Sequence, residues 1–328
     1  MENFIDEKRN DYFSYLRGLD LQQLLVEIEA YLLEYRTSLG LSEDLTFGLE
    51  LEYESLSKHE VDDFVICNLP FWVSKNDLSL RSGGEVSSAI LKDSKECWSK
   101  LQMLCAFLTK EKAKTTGVAG GHVHIGSNIL GVDINAWRIF LKTYAAYENI
   151  LFRFGYGDKV NARLNIAECA RPERDGLLFN HLYDLNTAQT IKEIFFSFPT
   201  EDRNIALNLR NVSFGLEDKP QNTVEYRLFN ATTNEVVWQN NVNAAAKLMT
   251  SAKEGAMDEE FIDYKLRQML LKTPSKYSYN CVELLSALEF VDIIFANNLD
   301  KIYFLKQYLK GYQEHYGNSL VKAKKFTK

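Results

Sequence analysis

The sequence holds no apolar run long enough to cross a membrane free of charge, since its most hydrophobic stretch, LLSALEFVDIIFANNL, carries Glu289 and Asp292. The opening MENFIDEKRND starts acidic and lacks the apolar centre of a signal peptide. Only five cysteines occur: Cys67, Cys97, Cys105, Cys169 and Cys281. They show no CxxC spacing, and an odd number cannot all pair within the chain. These absences lead us to expect a reduced, cytoplasmic setting with no membrane partner. Basic excess is missing too: the net charge of -7 argues against nucleic acid as a partner, because neutralising phosphates requires a basic face. The short lysine-rich end VKAKKFTK reads as a solvated tail. There is no internal repeat, no low-complexity linker and no glycine-rich phosphate loop. What is present is a chain of 328 residues, 46% hydrophobic, enough for one large core with helical additions.

The apolar period separates strands from helices. Over 21–39, Leu21, Leu24, Leu25, Ile28, Leu32 and Tyr35 share one helical face, with Asp20 as a start signal and Gly40 as an end signal. The period then changes to two in LTFGLELEY, where Leu45, Phe47, Leu49, Leu51 and Tyr53 alternate with Thr46, Gly48, Glu50 and Glu52. DDFVICN, NDLSL, GEVSSAI, GHVHIGS and NTVEYRLFN read as further strands. Helices are expected over about 94–108, over 134–154, and in four segments from about 241 onward. The predicted class is α+β, with a mostly antiparallel sheet and helices at both ends.

Chemistry concentrates on the strands. A strand turns every second side chain to one face, so Glu50 and Glu52 lie ~7 Å apart and repel by about 2 kcal/mol at an effective dielectric near 20. Solvent offsets this on an exposed face, and bound cations do so on a covered one. The other face of this strand is apolar throughout and the strand reads as mid-sheet, which favours cations. Glu54 continues the row and reads as solvated at the strand's end. His122 and His124 in GGHVHIG repeat the geometry with imidazoles. A lone strand histidine is usually structural, but a pair flanked by Gly120, Gly121 and Gly126 leaves room for a ligand or metal. In TVEYRLFN, Glu225 and Arg227 share a face, either as a cross-strand ion pair or as a metal carboxylate beside a phosphate-binding guanidinium. NDLSLRSGGEVSSAI offers Asp77 and Ser79, then Glu85 and Ser87.

The order of these blocks, ExE, then D-x-S, GGE-x-S, G-H-V-H-x-G and E-Y-R across roughly residues 45–235, resembles the amidoligase family, compact relatives of glutamine synthetase and glutamate-cysteine ligase. The resemblance implies a curved glutamine synthetase-type sheet as a catalytic core over 41–240. An N-terminal helical segment over 1–40 and a C-terminal helical region over 241–328 would complete the chain. It implies ATP and Mg²⁺ or Mn²⁺ as cofactors, with Glu50, Glu52, Glu85, His122 and Glu225 as metal ligands. Glu50, His122 and Glu225 would take the nucleotide-side ion, and Glu52 and Glu85 the substrate-side ion. Asp77, Ser79 and Ser87 would line the substrate. Arg227 would stabilise phosphoryl charge, with Arg163 as a second candidate and Arg171 competing with it; a surface ion pair is the plainer role for either of the latter two. The implied reaction transfers the γ-phosphoryl group of ATP to a small-molecule or peptide carboxylate, and an amine then attacks the acyl phosphate.

Two other classes compete. HxH also opens the metal site of some hydrolases, but these need more histidines on later strands, and only His181 and His315 follow. That reading also leaves Glu50 and Glu52 without a role. A noncatalytic binding protein on the same fold is the other possibility. Cys169, with no histidine paired to it in sequence, reads as structural.

Overall fold

The computed structural model describes residues 14–77, 79–80, 82–115, 118–155, 170–172, 181–196, 203–213, 222–270 and 283–309. In chain order the elements are α1 (Leu21–Ala30), β1 (Phe47–Glu54), α2 (Lys58–Asn68), β2 (Val73–Lys75), β3 (Gly83–Ser87), α3 (Lys95–Lys110), β4 (Gly120–Gly126), α4 (Ile134–Gly155), α5 (Leu182–Thr187), α6 (Ile191–Phe196), β5 (Leu207–Asn208), β6 (Thr223–Asn230), α7 (Glu235–Lys253), α8 (Glu259–Leu270), α9 (Leu284–Ile294) and α10 (Asn298–Leu309). The six strands form one sheet in the order β2-β3-β1-β4-β6-β5, and every neighbouring pair is antiparallel. The α+β class expected from the sequence is what the chain adopts. β1 lies inside the sheet, as its pattern required.

One face of the sheet is apolar and is covered by helices. Phe47, Leu49, Leu51 and Tyr53 of β1 are fully buried, as are Val123 and Ile125 of β4 and Val224 and Tyr226 of β6. Phe47 stacks on Trp98 of α3 with ring centroids 5.2 Å apart. Tyr226 meets Tyr144 of α4 edge-on at 6.5 Å and donates its hydroxyl to the Ala245 carbonyl of α7. Such aromatic contacts add about 0.5–1.5 kcal/mol each beyond the area they bury. Gly121 is required by this packing: a Cβ there would come within 2.8 Å of the Trp238 ring and 2.9 Å of the Asn230 carbonyl oxygen. Behind this layer α9 and α10 close on α4, with Phe154 stacked on Phe304 at 4.2 Å. Among the described residues no helix is long and apolar enough to cross a membrane.

Three local expectations fail, each because a longer-range or capping interaction takes over. DDFVICN is helical, as part of α2. Ser57 and Glu60 form a reciprocal capping box at its start, and Val61 and Val65, four residues apart, supply the buried face. The helix expected over 21–39 begins as foreseen, with Asp20 and Gln23 in a capping box, but stops at Ala30. Beyond it the backbone donors are taken by distant side chains. Glu34 N–H goes to the Tyr303 hydroxyl at 2.9 Å, and Arg36 N–H to Gln239 Oε1 at 3.0 Å. Leu39 and Leu41 N–H both go to Asp93, at 2.9 and 3.1 Å. A helix would have spent these donors on itself. The described residues of NDLSL form no strand either, because β2 ends at Lys75. Ser79 N–H turns back to Asp77 Oδ1 at 2.7 Å, an Asx-type turn that takes the place of a ladder.

Asp93 holds this extended arm to the body of the molecule. Besides Leu39 and Leu41 it accepts from Ser38 Oγ at 2.8 Å and from the indole N–H of Trp98 at 2.6 Å. Burial works against its charge, but these four donors outweigh that and hold its pKa below the usual aspartate value. We expect Asp93→Ala to cost about 1.5–3 kcal/mol of stability at neutral pH, as removal of hydrogen bonds to a charge does. Because the folded pKa is lowered, the contribution is present above the unfolded value near 3.9 and is lost as pH falls through the folded one. Urea unfolding of both proteins from pH 3 to 7 checks this; equal midpoints at pH 7 would remove Asp93 as an anchor.

Candidate functional site

The other face of the sheet carries the polar residues, and the strand register brings them together. Glu50 lies opposite His122 on β4 and opposite Ser87 on β3, Glu52 lies opposite Glu85, and His124 lies opposite Glu225. Asn208 on β5 pairs with Glu225 in turn. The β4–β6 ladder shifts register between Gly121 and Val123: Gly121 pairs with Phe229 and Val123 with Tyr226, so Arg227 and Leu228 together face His122. This bulge keeps Arg227 beside His122 while Phe229 returns to the buried side, a local re-aiming typical of bulges near functional sites.

The side chains converge closely. His122, only 3% exposed, places Nδ1 2.9 Å from Glu50 Oε2, 3.6 Å from Glu225 Oε1 and 3.5 Å from an Arg227 guanidinium nitrogen. Its Nε2 lies 3.6 Å from Glu52 Oε1 and has no hydrogen-bond partner. His124 Nε2 is 3.3 Å from Glu50 Oε1, and its Nδ1 is 3.2 Å from Thr223 Oγ1. Glu225 receives Arg227 at 2.5 Å and the Asn208 amide at 2.8 Å. Glu85 receives Ser87 Oγ at 2.5 Å and lies 3.5 Å from Lys75 Nζ, while Glu52 accepts the Gly120 N–H. Two groups of potential ligand atoms lie within 4.8 Å of one another: Glu50 with His124 and Glu225, and Glu52 with Asp77 and Glu85.

The electrostatics follow from this crowding. At an effective dielectric near 20, each carboxylate pair at such spacing repels by roughly 3 kcal/mol, and Glu52 and Glu85 face each other directly in the ladder, where like charges destabilise. Burial pushes the pKa of Glu85 up, and the charge of Glu50 adds to the effect. Burial acts on Glu50 in the same sense, but hydrogen bonds and charge from His122 and His124 reverse it and hold its carboxyl well below the usual range. His124 responds reciprocally: burial lowers its pKa, and Glu50 and Glu225 raise it by more. His124 and Arg227 therefore act as internal counter-ions on one side of the site. On the other side, among the described residues, the half-exposed Lys75 reaches Glu85 at 3.5 Å and His122 Nε2 lies 3.6 Å from Glu52.

The sequence-derived candidates fall out as follows. Glu50, Glu52, Glu85, His122, Glu225 and Arg227 occupy one face and one cluster. His124, singled out as part of a pair but given no ligand role, joins Glu50 and Glu225; its signal was the shared parity with His122. Asp77 was expected to line the substrate, but its carboxylate lies with Glu52 and Glu85. Ser79 is exposed, and Ser87 borders a cavity of about 280 Å³ that also touches Glu50, Lys75, Ile90, His124 and Thr223. Lys75 and Asn208 carried no sequence signal of their own. Arg171 is held through its backbone, which pairs with Asn204 and Ala206 beside β5. Arg163, Cys169 and His315 lie outside the described residues. His181 pairs with Asp184 at 3.7 Å, and among the described residues neither ligand group contains a further histidine.

An antiparallel sheet with one face packed on helices and the other gathering carboxylates, imidazoles and a guanidinium has the donor set for a hard divalent cation and a phosphate. A family model described as "putative amidoligase enzyme" matches residues 54–249, and the chain belongs to that family of ligase-type enzymes. Glu50 and Glu52 precede the matched interval by a few residues and are joined to it through the β1–β3 and β1–β4 ladders. A search of curated proteins finds no match.

Removing a charge from the crowded side relieves repulsion. Without added metal, we expect Glu85→Gln to melt at the same temperature as the parent or a few degrees higher, a gain on the order of 1 kcal/mol. The folded pKa of Glu85 is raised, so its ionisation costs stability as pH rises from the unfolded value near 4.3 through the folded one. The advantage of the variant should vanish below pH 4 and grow above it. A clear drop in melting temperature at pH 7 would show that Glu85 is a stabilising partner of Lys75 instead.

Proposed function

We propose that the chain is an ATP-dependent carboxylate-amine ligase built on a glutamine synthetase-type sheet. The observation that carries this reading is the convergence of Glu50, His122, His124 and Glu225 beside Arg227 on a single sheet face. The residues fit Mg²⁺ or Mn²⁺: carboxylate oxygens with one imidazole nitrogen suit either ion, and His122 Nε2 is a buried ring nitrogen left without a partner. Glu50, Glu225 and an imidazole of the HxH pair would hold the nucleotide-side ion, and Glu52 and Glu85 the substrate-side ion. Bound divalent cations would neutralise the phosphate oxygens of ATP.

The chain's own groups would do the rest. Arg227 is fixed by Glu225, so its guanidinium is oriented before substrate arrives and can stabilise charge on the transferred phosphoryl group. Asn208 holds the other oxygen of Glu225 and so limits its rotation. The cavity bounded by Glu50, Lys75, Ser87 and Ile90 adjoins the cluster and offers both an apolar wall and a cation to an organic substrate. In the reaction, the bond between the γ-phosphorus and the bridging oxygen breaks, leaving ADP. A carboxylate oxygen of the substrate takes the phosphoryl group, the amine attacks the carbonyl carbon, and phosphate leaves as the amine loses its proton.

ADP and phosphate release across a panel of amino acids, small carboxylates and amines tests this. Release should require both a carboxylate and an amine, and should fall at least 100-fold in Glu50→Gln and Glu225→Gln, whose folds should persist. Arg227→Lys keeps the charge but loses the planar fork and should lower kcat more than it raises KM. Undiminished turnover in both glutamate variants would remove the assignment. Substrate cleavage that ignores nucleotide would favour the hydrolase class.

A further inference from the structure

His124 and Thr223 stand at one end of the polar face, where the cavity opens beside Glu50. The strand register gives the His124 ring little support. Its partner on β1 is Gly48, which has no side chain to pack against it, and its partner on β6 is Glu225. Two side-chain contacts hold the ring. Nε2 lies 3.3 Å from Glu50 Oε1, and Nδ1 lies 3.2 Å from Thr223 Oγ1, two residues before Glu225 on the same face of β6. The other oxygen of Glu50 has His122 Nδ1 at 2.9 Å, so the direction of the His124 ring bears on the remaining oxygen of a carboxylate central to the site.

Thr223 is itself firmly placed. Asn222, just before it, adopts a left-handed φ of 38°, which asparagine tolerates better than most residues. The Asn222 carbonyl accepts Ser127 N–H at 2.9 Å, and its side-chain oxygen accepts Ser213 N–H at 2.8 Å and the Ser127 hydroxyl. The chain beyond β4 and the chain beyond β5 are thereby tied to the start of β6. A threonine hydroxyl both donates and accepts, so it can satisfy Nδ1 whether or not that nitrogen carries a proton. Holding one ring nitrogen aims the other.

We infer that Thr223 is a positioning residue of the active site: its hydroxyl holds Nδ1 of His124 and so keeps Nε2 aimed at Glu50. The catalytic meaning of this contact rests on the ligase reading above, but the orientation of the ring can be read without turnover. Thr223 also borders the cavity, so direct contact with substrate is the rival role. The two roles move different constants. Loss of a uniform substrate contact raises KM at constant kcat, whereas loss of an oriented group lowers kcat.

Thr223→Val keeps the shape of the side chain and removes the hydroxyl, Thr223→Ser restores it, and Thr223→Ala repeats the loss without the added methyl. Nuclear magnetic resonance of the full chain carrying isotope-labelled histidine reads the ring directly. Thr223→Val should move the ring-nitrogen signals of His124, identified by their loss in His124→Gln, and Thr223→Ser should leave them near their parental positions. In the ADP-release assay, Thr223→Val should lower kcat roughly tenfold or more with KM within about threefold, and Thr223→Ser should recover most of the loss. Circular dichroism melting confirms that each variant is folded. Parental His124 signals in both Thr223→Val and Thr223→Ala would overturn the inference while leaving the ligase reading in place. A raised KM at parental kcat would do the same. Displaced His124 signals in a chain whose parent releases no ADP with any carboxylate and amine would bring down the ligase reading and uphold the contact.

Discussion

Like charges held within a few ångströms of one another on the same sheet face are the constraint around which this molecule is arranged. Glu50 and Glu52 on β1, Glu85 on β3 and Glu225 on β6 come from three strands of the antiparallel sheet, and each is placed by a ladder that cannot slip without exposing the apolar side. The repulsion is met unevenly. His122, His124 and Arg227 surround Glu50 and Glu225, whereas among the described residues the Glu52, Asp77 and Glu85 group has Lys75 beside Glu85 and His122 Nε2 3.6 Å from Glu52.

Such a face is tolerable only because the opposite face is so firmly held. Trp98, Tyr144 and Trp238 reach the sheet from three helices, and the contact of Trp238 with Gly121 leaves no room for a side chain beside His122. The helices are in turn joined by buried polar pairs. Gln307 binds Asn240, Asn241 and the Phe154 carbonyl, and Lys142 lies between Glu259 and Asp263. The strands therefore present their carboxylates from a rigid support, as a preorganised site requires. Family membership as a ligase-type enzyme agrees with that arrangement.

Much of the site was legible because strand parity is a simple rule. Once GLELE, HVH and VEYR were read as strands, Glu50 with Glu52, His122 with His124, and Glu225 with Arg227 had to share faces. Parity says nothing about pairing, however. Nothing in the chain's order says that His124 meets Glu225 or that Glu52 meets Glu85. The place of Asp77 was hidden for a related reason: it reads as a strand residue in sequence, whereas it lies in an Asx-type turn with its carboxylate near those of Glu52 and Glu85. The arm over 31–41 escaped notice because its hydrogen-bond acceptors, Tyr303, Gln239 and Asp93, are remote in sequence.

Alternation of apolar and polar side chains, the capping residue Asp20 and the aromatic-rich pattern of α4 are local, and the sequence alone determined them: an α+β chain with its acidic, imidazole and guanidinium groups on strands. Ladder register, the bulge opposite His122 and the turn that carries Asp77 depend on contacts between distant segments. Only the tertiary structure decided which carboxylate stands beside which imidazole, because local periodicity fixes the face of a side chain and only packing fixes its neighbour.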